Sequence, residues 1–181
     1  GVAGATVIGM NSKAAGIDSV AIGVLSNVKN GGGVAIGRNA VNDIDPGDGR
    51  SKPGVSIGDT SKAYGQSIAI GAVAHALGSY SIAIGASANA SGSYSIALGE
   101  GAEVKEKSEY SSVFGTSAKI AEKSKYSVVS GAYSNIGEDS QYSTLVGANS
   151  SIGSSSRLST LIGGYAKIGT NSAASILMGP N

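Results

Sequence analysis

The sequence predicts an all-β fold, a two-sided β-solenoid of about twelve coils, and the spacing of its glycines is the first reason. A five-residue phrase that ends in glycine, such as SIAIG, recurs along the 181 residues. The steps between these glycines are 14, 14, 21, 13, 14 and 14 residues, and then 16 residues five times. Helical repeats take about 33 residues or more, whereas steps of this length fit two short strands and two tight turns per coil. Parallel stacking of such coils pairs each strand with its equivalents above and below. The repeat glycines are Gly9, Gly23, Gly37, Gly58, Gly71, Gly85, Gly99, Gly115, Gly131, Gly147, Gly163 and Gly179.

Composition is the second reason, because it indicates a narrow core with many turns. The chain has 29 glycines, three prolines, one phenylalanine and no cysteine. The absence of cysteine excludes disulfides and thiolate chemistry. A net charge of +1 with 14% charged residues gives no electrostatic indication of nucleic acid or of a membrane surface as a partner. Apolar runs are too short for a membrane span, and no signal peptide opens the chain.

The repeats indicate one domain over residues 1–181 with two registers. Residues 1–99 carry mainly 14-residue repeats with an inserted loop at 42–54, and residues 100–181 carry 16-residue repeats. Because the chain begins and stops within the pattern, we expect it to be a fragment of a longer protein.

The repeated strand is bulky on one face and small on the other. In the copy Ile82, Ala83, Ile84 the alanine lies between two isoleucines, and side chains alternate faces along a strand. A strand face that carries only alanine permits close approach of another backbone. A single roll buries only one face of each strand, so a strand that is apolar on both faces needs a partner to cover the other face. We therefore expect the middle position to form the interface between chains. These interface candidates are Ala21, Ala69, Ala83, Ala97, Val113, Val129, Leu145, Leu161 and Leu177.

The companion strand follows each repeat glycine and places small or apolar residues inward. Ala74 and Ala76 are the inward pair in one 14-residue copy, and Ser134 and Ile136 are the pair in one 16-residue copy. Polar residues alternate with them, as His75 does, which predicts a solvated outer face.

The sequence gives little support for catalysis. His75 is the only histidine, and no Ser, Asp and His set with a recognisable spacing surrounds it. We predict no catalytic residue, no metal site and no cofactor. Two alternatives are a hexapeptide-repeat acyltransferase, whose period is six with three faces per coil, and an ice-binding solenoid, which needs a flat row of threonines. Neither 14 nor 16 is a multiple of six, and the six threonines are scattered.

The long step between Gly37 and Gly58 contains the first candidate binding region. Its surplus, from Asn42 to Gly54, is rich in Asp, Gly and Pro, which is turn chemistry. The aspartates resemble part of a calcium loop but lack the closing glutamate, so a solvated loop that contacts a receptor is the prediction. The candidates are Asp43, Ile44, Asp45, Asp48, Arg50 and Lys52.

A column of tyrosines forms the second candidate region. Each tyrosine stands five residues before a repeat glycine, so the rings should stack from coil to coil. The column would be either an aromatic ladder that stabilises one corner of the roll or an exposed contact stripe. Its members are Tyr80, Tyr94, Tyr110, Tyr126 and Tyr142.

The phrase SVAIGxxS at residues 19–26, the SIAIG copies at 67–71 and 81–85, and the stretches at 74–78 and 88–92 resemble the YadA-like head of trimeric autotransporter adhesins. The resemblance implies a left-handed parallel β-roll that assembles as a homotrimer. It also implies a place on the surface of a Gram-negative bacterium, anchored in the outer membrane through a segment absent from this chain. The partner would be a host extracellular matrix protein or cell-adhesion receptor.

Overall fold

The computed structural model describes residues 2–29, 31–43 and 52–179, and these residues form strands and turns without a helix. The strands are short, at two or three residues each. In chain order they are β1 (Thr6–Ile8), β2 (Lys13–Ala14), β3 (Val20–Ile22), β4 (Asn27–Val28), β5 (Val34–Ile36), β6 (Val41–Asp43), β7 (Val55–Ile57), β8 (Lys62–Tyr64), β9 (Ile68–Ile70), β10 (His75–Ala76), β11 (Ile82–Ile84), β12 (Asn89–Ala90), β13 (Ile96–Leu98), β14 (Glu103–Val104), β15 (Ser112–Phe114), β16 (Lys119–Ile120), β17 (Val128–Ser130), β18 (Asn135–Ile136), β19 (Thr144–Val146), β20 (Ser151–Ile152), β21 (Thr160–Ile162), β22 (Lys167–Ile168) and β23 (Ile176–Met178).

Two parallel sheets run the length of the roll. The odd-numbered strands form one sheet of twelve strands, and the even-numbered strands form a second sheet of eleven. Equivalent positions pair from coil to coil: Ala83 pairs with Ala69 on one side and with Ala97 on the other. The predicted two-sided β-solenoid is therefore confirmed. Each coil has two faces, unlike the three-faced coil of a hexapeptide-repeat enzyme.

The corners between the sheets depend on backbone conformations with positive φ. The repeat glycine Gly85 has φ +132°, and a Cβ atom added there would clash with the backbone carbonyl of Gly99 in the next coil. Tyr80 precedes the same strand with φ 57°, and Ser87 follows it with φ 56°. A bulky residue in this left-handed region is uncommon and carries a backbone cost.

The middle strand position lies inside the roll, so the prediction that it forms the interface between chains is wrong. The side chains of Ala21, Ala69, Ala83, Ala97, Val113, Val129, Leu145 and Leu161 are fully buried within the single chain. Leu177, in the last coil, is half-buried and packs on the same core. The backbone that approaches these alanines closely belongs to the second sheet of the same chain. The inward residues of that sheet, such as Ala76 and Ala90, are also fully buried. The bulky residues on either side, such as Ile82 and Ile84, therefore face outward.

The 16-residue coils have a wider interior than the 14-residue coils. Leu145 and Ile152 fill it, where alanines fill the narrower coils. The predicted inward residues of the companion strand are confirmed, because Ser134 and Ile136 are fully buried as well. The leucines that the sequence analysis assigned to the interface between chains therefore fill a wider roll instead.

Serine ladders line the wider coils. The Oγ atom of Ser111 donates to the carbonyl oxygen of Ser124 at 3.0 Å and accepts from the amide of Ser127 at 3.1 Å. Ser127 repeats both contacts with Ser140 and Ser143 in the following coil. These hydroxyl groups satisfy buried backbone groups at corners where the strands do not pair.

The insertion begins later than predicted. Asn42 and Asp43 belong to β6, where they pair with Ala63 and Tyr64. Asn42 is fully buried, so it is part of the core and not of a loop that begins at residue 42. It fills the interior next to Gly33 and Gly54, where a Cβ atom on either glycine would meet its amide group.

Candidate functional site

The outer face of the twelve-stranded sheet is an apolar surface without charge. Each of its strands projects its first and third residues outward, and none of these residues is charged. They form two columns, of which Ile82 and Ile84 are one level. Towards the last coils the columns include serine and threonine, but Phe114, Val146 and Ile162 keep the surface largely apolar and remain about 40% exposed. Monomeric proteins rarely expose a continuous apolar surface of this extent, so it indicates an interaction site.

The outer face of the eleven-stranded sheet is polar, as the sequence predicted. Glu103 and Lys119 stand on neighbouring strands there, with the carboxylate and the ammonium group 2.7 Å apart. Such surface pairs contribute about 0–1 kcal/mol each, so this face is chiefly a solvated one. The two outer faces of the roll therefore differ in chemistry.

His75 lies on this polar face between Lys62 and Asn89. Partial burial, assisted by the charge of Lys62, lowers the pKa of His75 below its ordinary value of 6.5. Its Nε2 atom is covered and has no hydrogen-bond partner among the described residues. Among the described residues, nothing around His75 resembles a catalytic set, and the side chain is one of the polar residues on a sheet surface.

Ion pairs also link coils at the corners of the roll. The guanidinium group of Arg157 donates two hydrogen bonds of 2.7 Å to the carboxylate of Asp139. Lys125 pairs with Glu109 at 2.9 Å, beside the tyrosine column, and Lys123 pairs with Glu138 at 2.8 Å. Each pair joins residues from successive coils, so the charged corners reinforce the stack.

The tyrosine column is a stacked ladder, as one of the two sequence interpretations predicted. Successive ring centroids lie 4.9, 4.9, 5.2 and 5.0 Å apart, and the ring planes are within 9° of parallel. The five tyrosines remain between 42% and 55% exposed. Because their faces stack on one another, they present ring edges and hydroxyl groups to the outside. Their use as a contact stripe stays a prediction.

The two candidate regions meet at the upper end of the ladder. The ammonium group of Lys52 lies 5.4 Å from the centroid of the Tyr80 ring, within the range of a cation–π contact. Asp43, at the other end of the insertion, pairs with Lys29 at 2.6 Å. The remaining loop candidates, Ile44, Asp45, Asp48 and Arg50, lie outside the described residues.

The described residues contain no cluster of three or more His, Cys, Asp or Glu side chains that could hold a metal ion. They also form no helix that could cross a membrane. The surface hollow beside Lys123, Glu138 and Asp139 is shallow and open, and the ion pair between Lys123 and Glu138 lies in it.

Comparison with known families identifies the repeat. The sequence profile of the YadA head domain repeat matches residues 3–26, 14–40, 65–88 and 76–102. These two stretches of the chain, residues 3–40 and 65–102, carry YadA head domain repeats. The matches fall on 14-residue coils on both sides of the insertion, and the same parallel roll continues through the 16-residue coils. No curated protein matches the chain.

Sequence reasoning did not predict that the two apolar columns form the exposed face of the twelve-stranded sheet. A signal was present: Ser81 and Ala83 share a face of the strand, and serine paired with alanine suits a narrow, hydrogen-bonded interior better than isoleucine does. The same parity places Ile82 and Ile84 outside.

Proposed function

We propose that this chain is the binding head of a trimeric cell-surface adhesin, and that it attaches to host extracellular matrix proteins or cell-adhesion receptors without catalysis. The YadA head repeats support the adhesin class. The rigid, repetitive roll supports a role in presenting surface features at fixed spacing rather than in enclosing a substrate.

The apolar outer face of the twelve-stranded sheet is the observation that carries the proposal. Three copies that turn this face towards a common axis would bury Ile82, Ile84 and their equivalents, while the polar outer face of the other sheet would remain in water. Burial of apolar area stabilises association by about 25 cal/mol per Å². The interface candidates are thus the residues that flank the middle position.

Assembly as a trimer would also explain how such a head binds firmly. Three equivalent sites on one head, and many heads on one cell, convert weak individual contacts into strong attachment through avidity. The insertion and the tyrosine ladder are the contact regions that the sequence predicts, and the cation–π contact of Lys52 with Tyr80 makes them neighbours.

The family also supports a location on the surface of a Gram-negative bacterium, with anchoring in the outer membrane by a part of the protein outside this chain. The proposal thus assigns recognition to the roll and membrane attachment to another segment.

A binding panel tests the function. The folded chain would be applied to immobilised collagen, fibronectin, laminin and immunoglobulin-like adhesion receptors, with heat-unfolded chain as the control. Saturable binding of the folded protein to one of them is expected. Equal binding of folded and unfolded protein to every surface would contradict the proposal. Variants in the insertion, such as replacement of residues 44–51 by a short turn, then locate the contact.

A further inference from the structure

We infer that the tyrosine ladder is a seam between copies of this chain: the corner that carries the tyrosines packs against the opposite corner of the neighbouring copy, coil by coil. This inference rests on the proposed trimer and adds to it which corners meet and in which register.

Two corners border each strand of the apolar sheet. The leading corner consists of the residue five positions before a repeat glycine and the residue that precedes it. The trailing corner consists of the two residues that follow the same glycine. In the coil of Gly115 the leading corner is Glu109 and Tyr110, and the trailing corner is Thr116 and Ser117. Tyr110 and Ser117 both have positive φ, at 57° and 52°. The strand β15 separates them, so the two corners of one coil do not touch.

A closed ring of three copies brings these corners together. If three identical sheets face one axis, the interface is head-to-tail around the ring, and one border of each sheet lies next to the other border of the next sheet. The leading corner of one copy then meets the trailing corner of its neighbour at the same level, because the rotation axis runs along the stack.

Side-chain sizes at the two corners are complementary on three successive levels. Tyr80, Tyr94 and Tyr110 occupy three successive leading corners. On the same levels the trailing corners end in Ser87, Gly101 and Ser117. Because these residues do not contact each other within one chain, contact between copies is the physical reason for such a match.

One level carries two aromatic residues. Tyr126 leads and Tyr133 trails, and the two are 47% and 63% exposed in the single chain. A pair of tyrosine rings from two copies forms a favourable edge-to-face or offset contact. The small Ala132 next to Tyr133 leaves room for it.

Cysteine pairs test the seam, because the natural chain has no cysteine. The double variant Tyr110→Cys/Ser117→Cys would be oxidised with copper phenanthroline, with a short bismaleimide as a second linker. Since each chain then offers one thiol to each neighbour, a covalent species of three chains is expected on a denaturing gel. Tyr110→Cys alone should give no covalent trimer on the denaturing gel. Tyr110→Cys/Lys119→Cys, whose second thiol lies on the polar outer face, should migrate at the size of one chain.

A bulk variant provides a second readout. Ser117→Tyr keeps a backbone conformation that Tyr133 already adopts in the next coil, and it fills the space that the neighbour's Tyr110 needs. The trimer of this variant should dissociate at a lower temperature than that of Lys119→Tyr.

The outcomes separate the seam from the assembly. A wild-type trimer in which the 110/117 pair links no better than the 110/119 pair would overturn the seam and leave the proposed trimer intact. A chain that stays monomeric would overturn both. Loss of receptor binding in a normally cross-linked trimer would count against the binding proposal alone.

Discussion

The Oγ atom of Ser111 accepts a hydrogen bond of 3.1 Å from the amide nitrogen of Ser127, one coil further along the stack. Both side chains are fully buried, and the same contact recurs between Ser127 and Ser143. A side chain thus replaces strand pairing at this corner and holds successive 16-residue coils in register. The role of these serines is structural, and it can be measured.

Replacing Ser127 with alanine should destabilise the fold by about 1–3 kcal/mol, because it leaves two buried backbone groups without a partner. These are the amide of Ser143 and the carbonyl oxygen of Ser140. Urea unfolding followed by circular dichroism measures the loss. Ser151→Ala, on the polar outer face, is the matched control and should change stability by less than about 0.5 kcal/mol. Equal effects of the two substitutions would contradict the ladder.

Gly85→Ala should be far more damaging than Gly101→Ala, although both glycines have positive φ. A methyl group on Gly85 meets the carbonyl of Gly99, whereas the nearest atom to a methyl group on Gly101 is the Oγ atom of Ser117 at 3.5 Å. Gly101→Ala therefore costs only the backbone term of about 1–2 kcal/mol. Thermal melting of both variants checks the order, and a Gly85→Ala protein that melts no lower than Gly101→Ala would contradict the close approach of the coils.

Tyr126 combines a favourable stack with an unfavourable backbone, and two substitutions separate these contributions. Its ring stacks on Tyr110 and Tyr142, each pair worth about 0.5–1.5 kcal/mol, while its φ is 56°. Asparagine tolerates this conformation, so Tyr126→Asn loses the stack but regains backbone energy. Tyr126→Val loses the stack and also increases the backbone cost, because a β-branched residue strongly disfavours positive φ. We expect Tyr126→Val to unfold at a lower urea concentration than Tyr126→Asn. The reverse order would show that the backbone term is negligible.

His75 should make the protein less stable as the pH falls below about 6.5. Its pKa is lowered in the folded state, so the unfolded chain binds the proton more readily, and acidification through this range favours unfolding. Urea unfolding at pH 7.5 and at pH 5.5 should show a smaller loss for His75→Asn than for the natural chain. The carboxylate of Asp59, whose pKa is lowered by the hydrogen bond from Arg38, titrates below this window and does not interfere. An identical loss in both proteins would show that His75 is protonated equally in the two states.

The spacing of the repeat glycines was sufficient to predict the coils, the two sheets and the stacked tyrosines. It predicted these features because a parallel stack repeats each position in every coil. Residues that are one period apart in the sequence therefore lie above one another in the structure. The direction of Ala83 was predicted wrongly. Strand parity separates two faces but does not say which is inside, and the small size of Ala83 fits an interface between chains as well as a narrow interior. In a narrow roll the interior is where only alanine fits.

The insertion shows a different limit of sequence reasoning. Its turn-forming composition predicted a loop from Asn42, yet Asn42 is a core residue, because its side chain fills the space that Gly33 and Gly54 leave open. A polar residue opposite two glycines is a relation between distant positions, which a period does not reveal. The serine ladders were missed for a similar reason: serine is common at turns, and its buried hydrogen bonds appear only when coils are stacked.

The molar mass in solution tests the central claim most directly, and Ile84 supplies the variant. Light scattering on the eluting peak should give three times the 17.6 kDa of one chain for the natural sequence. Ile84→Glu, which places charges in the proposed apolar interface, should give a smaller species, and Asn89→Glu on the polar face should remain a trimer. A natural chain of 17.6 kDa, or an Ile84→Glu protein that stays at three times that mass with unchanged melting, would contradict an adhesin head assembled through the outer face of the twelve-stranded sheet.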